Sequence, residues 1–149
     1  MVNQKRVVLA ADHAGYPLKE EVKTYLGTQG IDVVDTGTFS EEQVDYPGIM
    51  RRGCATLLEQ GIPGILFGGS GNGEAMAANK VRGIRAAVCY NAEITKLARQ
   101  HNNANVMCIG ARFTDLSAAK EMVDVFLSTD FEGGRHTGRV NDLDTPIAQ

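Results

Sequence analysis

Short apolar runs alternate along the chain with longer segments in which apolar residues recur at helical spacing. The apolar runs predict five strands, over residues 7–11, 31–34, 64–67, 84–88 and 106–109. The amphipathic segments predict five helices, over residues 18–26, 47–58, 74–80, a stretch opened by Asn91 as its N-cap, and 115–127. Most strands are apolar on both faces, which is typical of a parallel sheet covered by helices on both sides.

The order of these elements indicates an α/β fold in three layers around a five-stranded parallel sheet. The pattern contains no linker and no internal repeat, so residues 1–149 are expected to form one domain. In such folds, ligands bind beyond the carboxyl ends of the strands, where the strand order switches direction. If the strand order is flavodoxin-like, the loops after the first and third strands flank this point together.

Composition and charge narrow the class of partner. The 149 residues are 43% hydrophobic and 22% charged, with a net charge of −3, and nucleic-acid-binding proteins usually carry a clustered basic face instead. No segment has the pattern of a signal peptide, and no apolar run approaches the roughly 20 residues that span a bilayer. We therefore expect a cytoplasmic protein without nucleic-acid or membrane partners. Its cysteines, Cys54, Cys89 and Cys108, are expected to be reduced and buried.

A glycine-rich loop follows the third strand. Its sequence, Gly68-Gly69-Ser70-Gly71-Asn72-Gly73, lets successive backbone N–H groups converge on one anionic atom without a side-chain clash. Such a loop can hold a phosphate, or an oxyanion that develops during a reaction. The spacing matches neither the Rossmann fingerprint nor a Walker loop, so the loop alone does not decide between these ligands.

Glu74 follows the loop at the predicted start of a helix. A carboxylate at this place can simply interact with the helix dipole. Beside a loop of backbone amides it can also serve as the base that removes a proton next to a carbonyl, while the Ser70 hydroxyl binds the same oxygens. The second interpretation gives both residues a chemical task.

Other polar residues lie at strand and helix ends. Asp12 and His13 follow the first strand, either as a cap and a packed ring or as a pair that contacts sugar hydroxyls or phosphate. Tyr46 precedes the second helix, where it can cover a substrate. His101 and Asn102 lie at the opposite, amino-terminal edge of the sheet, so they either stabilise a helix end or reach the site of a neighbouring subunit.

Three arginines are the candidate phosphate ligands, namely Arg112, Arg135 and Arg139. The planar guanidinium suits bidentate phosphate binding. Arg135 and Arg139 share a face if their segment is helical. The competing interpretation is that both belong to a solvated surface.

The chain contains five motifs in a fixed order. They are Ala11-Asp12-His13-Ala14-Gly15, Asp45-Tyr46-Pro47, Gly68 to Glu74 with Ala77-Ala78-Asn79-Lys80, Arg99-Gln100-His101-Asn102, and Glu132-Gly133-Gly134-Arg135-His136. Together they resemble the type B ribose-5-phosphate isomerases, a group related to galactose-6-phosphate isomerase subunits and allose-6-phosphate isomerases. The resemblance implies a Rossmann-like three-layer α/β/α fold, and a homodimer or dimer of dimers with sites shared between subunits. A C-terminal tail, residues 131–149, is then expected to pack on a neighbouring subunit.

The resemblance also implies an activity. Family members interconvert ribose 5-phosphate and ribulose 5-phosphate through an enediolate, without a metal or other cofactor. By motif, Glu74, His101 and Ser70 would be catalytic, with His101 assisting the opening of the furanose ring. The residues that would bind substrate are Asp12, His13, Tyr46, Gly69, Gly71, Asn72, Gly73, Asn102, Arg112, Arg135 and Arg139.

The loop departs from the commonest family pattern in one respect. Many members carry a cysteine base at the position of Gly68 and a threonine at the position of Ser70. The chain therefore resembles the branch in which a glutamate at the end of the loop, here Glu74, is the base.

Three alternatives remain open from the sequence. The substrate can be a six-carbon sugar phosphate, such as allose 6-phosphate or galactose 6-phosphate. The loop can instead serve a flavodoxin-like nucleotide-binding module, although this leaves Glu74 and His101 without a task. The chain can also be a structural subunit that is inactive without a related partner chain.

Overall fold

Five parallel strands form the central sheet, as the apolar runs predict. The computed structural model describes residues 6–148; residues 1–5 and 149, which the single-domain prediction includes, lie outside the described part. The strands are β1 (Arg6–Ala11), β2 (Asp32–Asp35), β3 (Gly64–Gly68), β4 (Ala86–Val88) and β5 (Val106–Gly110). The helices are α1 (Tyr16–Thr28), α2 (Tyr46–Gln60), α3 (Asn72–Asn79), α4 (Ala92–Gln100), α5 (Leu116–Ser128) and α6 (Arg135–Asn141), and a 3₁₀ turn covers Ala111–Phe113.

Alternate residues of each central strand enter two separate hydrophobic clusters. Val7, Leu9 and Ala11 of β1 face the cluster that also contains the apolar sides of α1, α4 and α5. Val8 and Ala10 face the other cluster, with α2 and α3. Because successive side chains of a strand point to opposite faces, this division produces the predicted three-layer α/β/α arrangement. Among residues 6–148, no helix combines the length and the hydropathy that a membrane crossing requires.

The strand order is β2-β1-β3-β5-β4. It agrees with the flavodoxin-like order over its first three strands, so the loops after β1 and β3 do lie side by side. The last two strands are exchanged. All five residues of β5 are buried, whereas the three residues of β4 are only half-buried. The fully apolar strand therefore occupies the interior of the sheet and the shorter one forms its edge.

Helix α3 begins earlier than the sequence predicts. Gly71 is its N-cap and has a φ of +85°, a left-handed backbone that glycine adopts without strain. The turn at Gly71 ends the loop, so the helix starts at Asn72 rather than Glu74. Glu74 is thus the third residue of the helix, from which a side chain can reach back toward the N-cap.

The C-terminal tail contains a helix, α6, and the described part of it contacts its own chain. The Glu132 N–H donates to the Gln100 carbonyl at 3.0 Å, at the end of α4. The Gly83 N–H donates to Asp144 Oδ2 at 3.1 Å. Both contacts lie toward the amino-terminal edge of the sheet. Packing of residues 131–149 on a neighbouring subunit stays a prediction.

A buried ion pair joins α1 to the end of β2. The Lys19 side chain is fully buried, and its Nζ lies 2.6 Å from Asp35 Oδ2. Lys23 Nζ, on the exposed side of the same helix, lies 2.9 Å from the same oxygen. Burial raises the pKa of Asp35, but the hydrogen bonds from Lys19, Lys23 and the Gly37 N–H outweigh it, and the pKa is lowered overall.

The same carboxylate holds the loop between β2 and α2. Asp35 Oδ1 accepts from the Gly37 N–H at 2.9 Å, and the Gly37 carbonyl accepts from the Ala11 N–H at 2.7 Å. The Thr38 N–H returns a bond to the Ala11 carbonyl at 2.7 Å. The loop is thereby fixed beside the last residue of β1, directly before Asp12.

Replacing Asp35 with Asn is expected to lower the free energy of unfolding by about 1.5–3 kcal/mol, because the buried Lys19 ammonium keeps only Glu20 Oε2, 3.0 Å away, as an anionic partner. Lys23→Gln is the matched control, with an expected loss of about 1 kcal/mol or less, since that side chain is partly exposed. Urea unfolding of the three proteins at pH 7 measures both values. Equal stability of Asp35→Asn and the wild type contradicts the expectation.

The pH dependence of unfolding gives a second readout of the same pair. The pKa of Asp35 is lower in the folded chain than in the unfolded chain, where it lies near 3.9. Asp35 therefore contributes stability above about pH 4, and this contribution is lost as the pH falls through its folded pKa. The Asp35→Asn protein is expected to lack that part of the acid-induced loss.

Candidate active site

The carboxyl edge of the sheet gathers residues from four segments. Asp12 and His13 follow β1, Tyr46 opens α2, the glycine-rich loop follows β3, and Arg112 lies in the turn after β5. The ends of β3 and β5 are level, since Gly68 pairs with Gly110. The loop therefore lies between the segments that follow β1 and β5, at the switch point of the sheet.

Backbone packs directly against backbone around this loop. A Cβ on Gly15 would overlap the Phe67 carbonyl at the end of β3. A Cβ on Gly110 would lie 2.5 Å from the Ser70 carbonyl oxygen. Side chains at these two positions would push the loop away from the strands. The loop is held close to β1 and β5 by the absence of side chains there.

Gly68 makes room for the Glu74 carboxylate. A Cβ on Gly68 would overlap both carboxylate oxygens of Glu74. The carboxylate therefore occupies the space into which any side chain at position 68 would project. Because the resemblance places a cysteine base at that position, the glutamate approaches from α3 the region that such a cysteine would approach from β3.

Burial makes the Glu74 carboxylate a stronger base than an exposed glutamate. The residue is only 3% exposed, and burial raises its pKa, with the charge of Asp12 raising it further. Hydrogen bonding from the backbone of Glu74 and Gly71 lowers the pKa and partly offsets both effects. Asp12 is itself fixed, because its Oδ1 accepts from the Gly15 N–H at 2.9 Å.

His13 and Tyr46 border the loop on one side. His13 Nδ1 accepts from the Val44 N–H at 3.2 Å, which leaves Nε2 of the neutral ring as a donor. The Tyr46 ring packs on Gly73, where a Cβ would lie 2.9 Å from the Tyr46 hydroxyl oxygen. Both side chains can thus present a polar atom to a ligand above the loop.

Arg112 borders the loop on the other side. A Cβ on Gly69 would lie 3.1 Å from Arg112 Nη1, and the Arg112 N–H donates to the Gly69 carbonyl at 3.1 Å. The guanidinium therefore lies against the loop. Ser70 and Asn72 are exposed, and the Asn72 N–H donates to Ser70 Oγ at 3.3 Å. Their polar atoms face solvent, where a substrate would enter.

The remaining candidate residues form a second cluster at the amino-terminal edge. His101 is the C-cap of α4, and a cavity of about 260 Å³ is lined by His101, Asn102, His136, Arg139, Val140 and Leu143. Arg135 and Arg139 lie on one helix, as their spacing requires for a shared face. Glu74 and His101 thus occupy opposite ends of the sheet, separated by about 13 Å of strand.

Three side chains lie close enough together to be candidate metal ligands, namely His101, Glu132 and His136. One donor atom of each lies within 4.8 Å of the others. The two imidazoles are nearly parallel, with an interplanar angle of 14°, so their lone pairs do not converge on one point. Arg135 and Arg139 add positive charge beside His136. This arrangement suits an anion better than a cation.

Two features of the structure were missed from the sequence. Lys19 looks like a surface residue of an amphipathic helix, yet it is fully buried against Asp35. In the sequence His136 is only one residue of the last motif, yet its ring stacks on that of His101. The available signal for the Lys19 ion pair was a polar residue, Asp35, at the end of a strand. The available signal for His136 was its position next to Arg135.

The carboxyl-edge cluster has the parts for proton abstraction next to a carbonyl. It combines a buried carboxylate of raised pKa, a loop of backbone amides and a guanidinium that can hold an anionic group. The second cluster offers imidazole and further guanidinium groups. Within one chain the two clusters lie at opposite edges of the sheet.

Comparison with known proteins identifies relatives over nearly the whole chain. A model of the family described as Ribose/Galactose Isomerase matches residues 7–143. Ribose-5-phosphate isomerase B of Escherichia coli is 41% identical over 146 residues, which cover 97% of each protein.

Solved structures agree in fold. The ribose 5-phosphate isomerase of Thermotoga maritima is 45% identical, with a TM-score of 0.93 over 95% of this chain and 99% of that one. Ribose-5-phosphate isomerase B of Mycoplasma genitalium, solved with bound ribulose 5-phosphate, is 38% identical, with a TM-score of 0.88 over 93% of each chain. On this match of sequence and fold, the chain belongs to the ribose/galactose isomerase family.

Proposed function

We propose that the chain is an aldose–ketose isomerase that interconverts ribose 5-phosphate and ribulose 5-phosphate. The observation that carries the proposal is the Glu74 carboxylate, buried against Gly68 at the start of a loop of backbone amides. This is the arrangement that transfer of a proton next to a carbonyl requires. Relatives named for this activity, at about 40% identity over nearly the whole chain, support it.

The reaction follows from the chemistry of the residues. Glu74 takes the proton from C2 of the open-chain aldose, and the electron pair forms the C1=C2 bond of an enediolate. The loop amides and the Ser70 hydroxyl stabilise the charge on O1 and O2, and the O2 proton moves to O1. Glu74 then returns its proton to C1, which leaves a carbonyl at C2. Atoms and charge balance without a cofactor.

The division of candidate residues between two edges supports a site shared by two chains. Arg112 lies at the edge of Glu74, whereas His101, Asn102, Arg135 and Arg139 belong to the other edge. In a homodimer or dimer of dimers, the amino-edge cluster of one subunit would complete the carboxyl-edge cluster of the next. His101 would open the furanose ring there, and the arginines would bind phosphate.

Replacing Glu74 with Gln is expected to reduce turnover of ribose 5-phosphate by at least about 10²–10⁴-fold, since it removes the base but keeps the shape of the side chain. Binding of substrate, measured by calorimetry, should change little. Near-normal turnover in the variant contradicts the role of Glu74.

Assays of the wild type with ribose 5-phosphate, allose 6-phosphate and galactose 6-phosphate show whether the site accepts a five-carbon or a six-carbon sugar phosphate.

Replacing Gly68 with Ala tests whether the Glu74 carboxylate must occupy its observed place. The added methyl group overlaps the carboxylate, so turnover should fall nearly as far as in Glu74→Gln. Gly27→Ala is the matched control, because a Cβ at that helical position contacts nothing within 4 Å. Normal turnover in Gly68→Ala contradicts the expectation.

A double-mutant cycle separates this clash from general overpacking at Gly68. Gly68→Ala is expected to cost about 1–3 kcal/mol of stability in the wild type and clearly less when Glu74 is already Ala. Equal losses in the two backgrounds, measured by urea unfolding, would show that another contact is responsible.

The acid limb of the pH–rate profile is expected to report Glu74. The base must be ionised, so kcat/KM falls as the pH drops through the raised pKa of Glu74, above the usual value near 4.3. Asp12→Asn removes the neighbouring negative charge and should move this limb to lower pH, whatever its effect on the maximum rate. Asp124→Asn, which removes an exposed carboxylate of α5, is the control. Because the substrate phosphate titrates equally in both assays, a difference between the two pH–rate profiles reports the loss of Asp12. An unmoved limb contradicts the coupling.

A further inference from the structure

His136 lies directly beneath His101. The centroids of the two rings are 4.2 Å apart and their planes differ by 14°, which is a stacked arrangement. His136 is only 7% exposed, whereas His101 is half-buried. One imidazole therefore forms the floor on which the other rests, and His101 is the more exposed of the two rings that line the cavity.

The backbone around His136 fixes this floor. The Glu132 N–H donates to the Gln100 carbonyl at 3.0 Å, and the His136 N–H donates to the Gly133 carbonyl at 3.1 Å. Gly133 and Gly134, in the turn between these two hydrogen bonds, have φ values of +68° and +56°. Glycine adopts such positive φ values more readily than any other residue. The start of α6 is thereby tied to the end of α4, where His101 is attached.

The charges around His136 favour a neutral ring. Burial lowers the pKa of His136, and the positive charges of His101, Arg135 and Arg139 lower it further, while Glu132 raises it. Glu132, whose carboxylate lies within 4.8 Å of both rings, balances that positive charge.

We propose that His136 is a positioning residue for His101, holding its ring by stacking so that His101 faces the ligand in one fixed orientation. The inference rests on the proposed function, in which His101 opens the furanose ring of the substrate. His136 itself does not contact the reacting atoms. A displaced catalytic group commonly costs on the order of 10²-fold in rate, so loss of the floor should be visible in turnover.

Two variants separate the stack from the rest of the fold. His136→Ala removes the stacked ring and is expected to lower kcat for ribose 5-phosphate by about 10²-fold, with little change in KM. His136→Phe keeps an aromatic floor and should retain most of the activity. Thr137→Ala, the exposed neighbour on α6, is the matched control and should behave as the wild type.

A substrate that cannot form a ring identifies the step that is lost. 4-Deoxyribose 5-phosphate lacks the hydroxyl that closes the furanose, so it remains a free aldehyde and bypasses ring opening. His136→Ala and His101→Asn should both react with it nearly as the wild type does, whereas Glu74→Gln should fail with both substrates. Equal losses on ribose 5-phosphate and its 4-deoxy analogue, or no loss on either, overturn the proposal for His136.

Magnetic resonance supplies a readout that does not depend on activity. The chain has three histidines, so their ring signals are readily assigned by substitution. Removing the stacked ring in His136→Ala should shift the ring protons of His101 and leave those of His13 in place. An inactive wild type would overturn the isomerase function but leave this test intact. Unshifted His101 signals would overturn the stacking in solution.

Discussion

Close approach of backbone to backbone at the carboxyl ends of β1, β3 and β5 is the constraint on which the site depends. Gly15 and Gly110 let the segments after β1 and β5 press against the end of β3 and the loop that follows it. Gly68, at that end, leaves space that the Glu74 carboxylate fills. The same close packing brings the loop amides next to the carboxylate and keeps water from it. A side chain at any of these three positions would open the site.

This packing places the Glu74 carboxylate where its negative charge is disfavoured. A carboxylate in such a place is poorly solvated and faces a second carboxylate on Asp12, and both effects raise its pKa. Backbone donors from the first turn of α3 restrain the rise. The start of α3, which gives Glu74 a structural interpretation as a partner of the helix dipole, is therefore also compatible with its proposed chemical role. The two interpretations of this residue describe one arrangement.

The sequence predicted the layers, the five strands and the carboxyl-edge cluster, because periodicity and the glycine-rich loop are local signals. It did not predict that β5 lies in the interior of the sheet and β4 at its edge. Strand order depends on how completely each strand can be buried, and neighbouring strands compete for the buried position. It also missed the burial of Lys19, because a lysine on an amphipathic helix ordinarily faces water. The stack of His136 on His101 depends on a tertiary contact between α4 and α6, which no spacing along the chain reveals.

The separation of Glu74 from His101 has a consequence for how the family's sequences vary. In the proposed shared site, residues at opposite ends of the sheet exert selection on each other across the boundary between two chains. Correlated substitutions between the two edges of the sheet would therefore report contacts between chains, although the fold of a single chain keeps the edges apart. Read as contacts within one chain, such correlations would distort a model of the monomer. Read as contacts between chains, they would orient its neighbour.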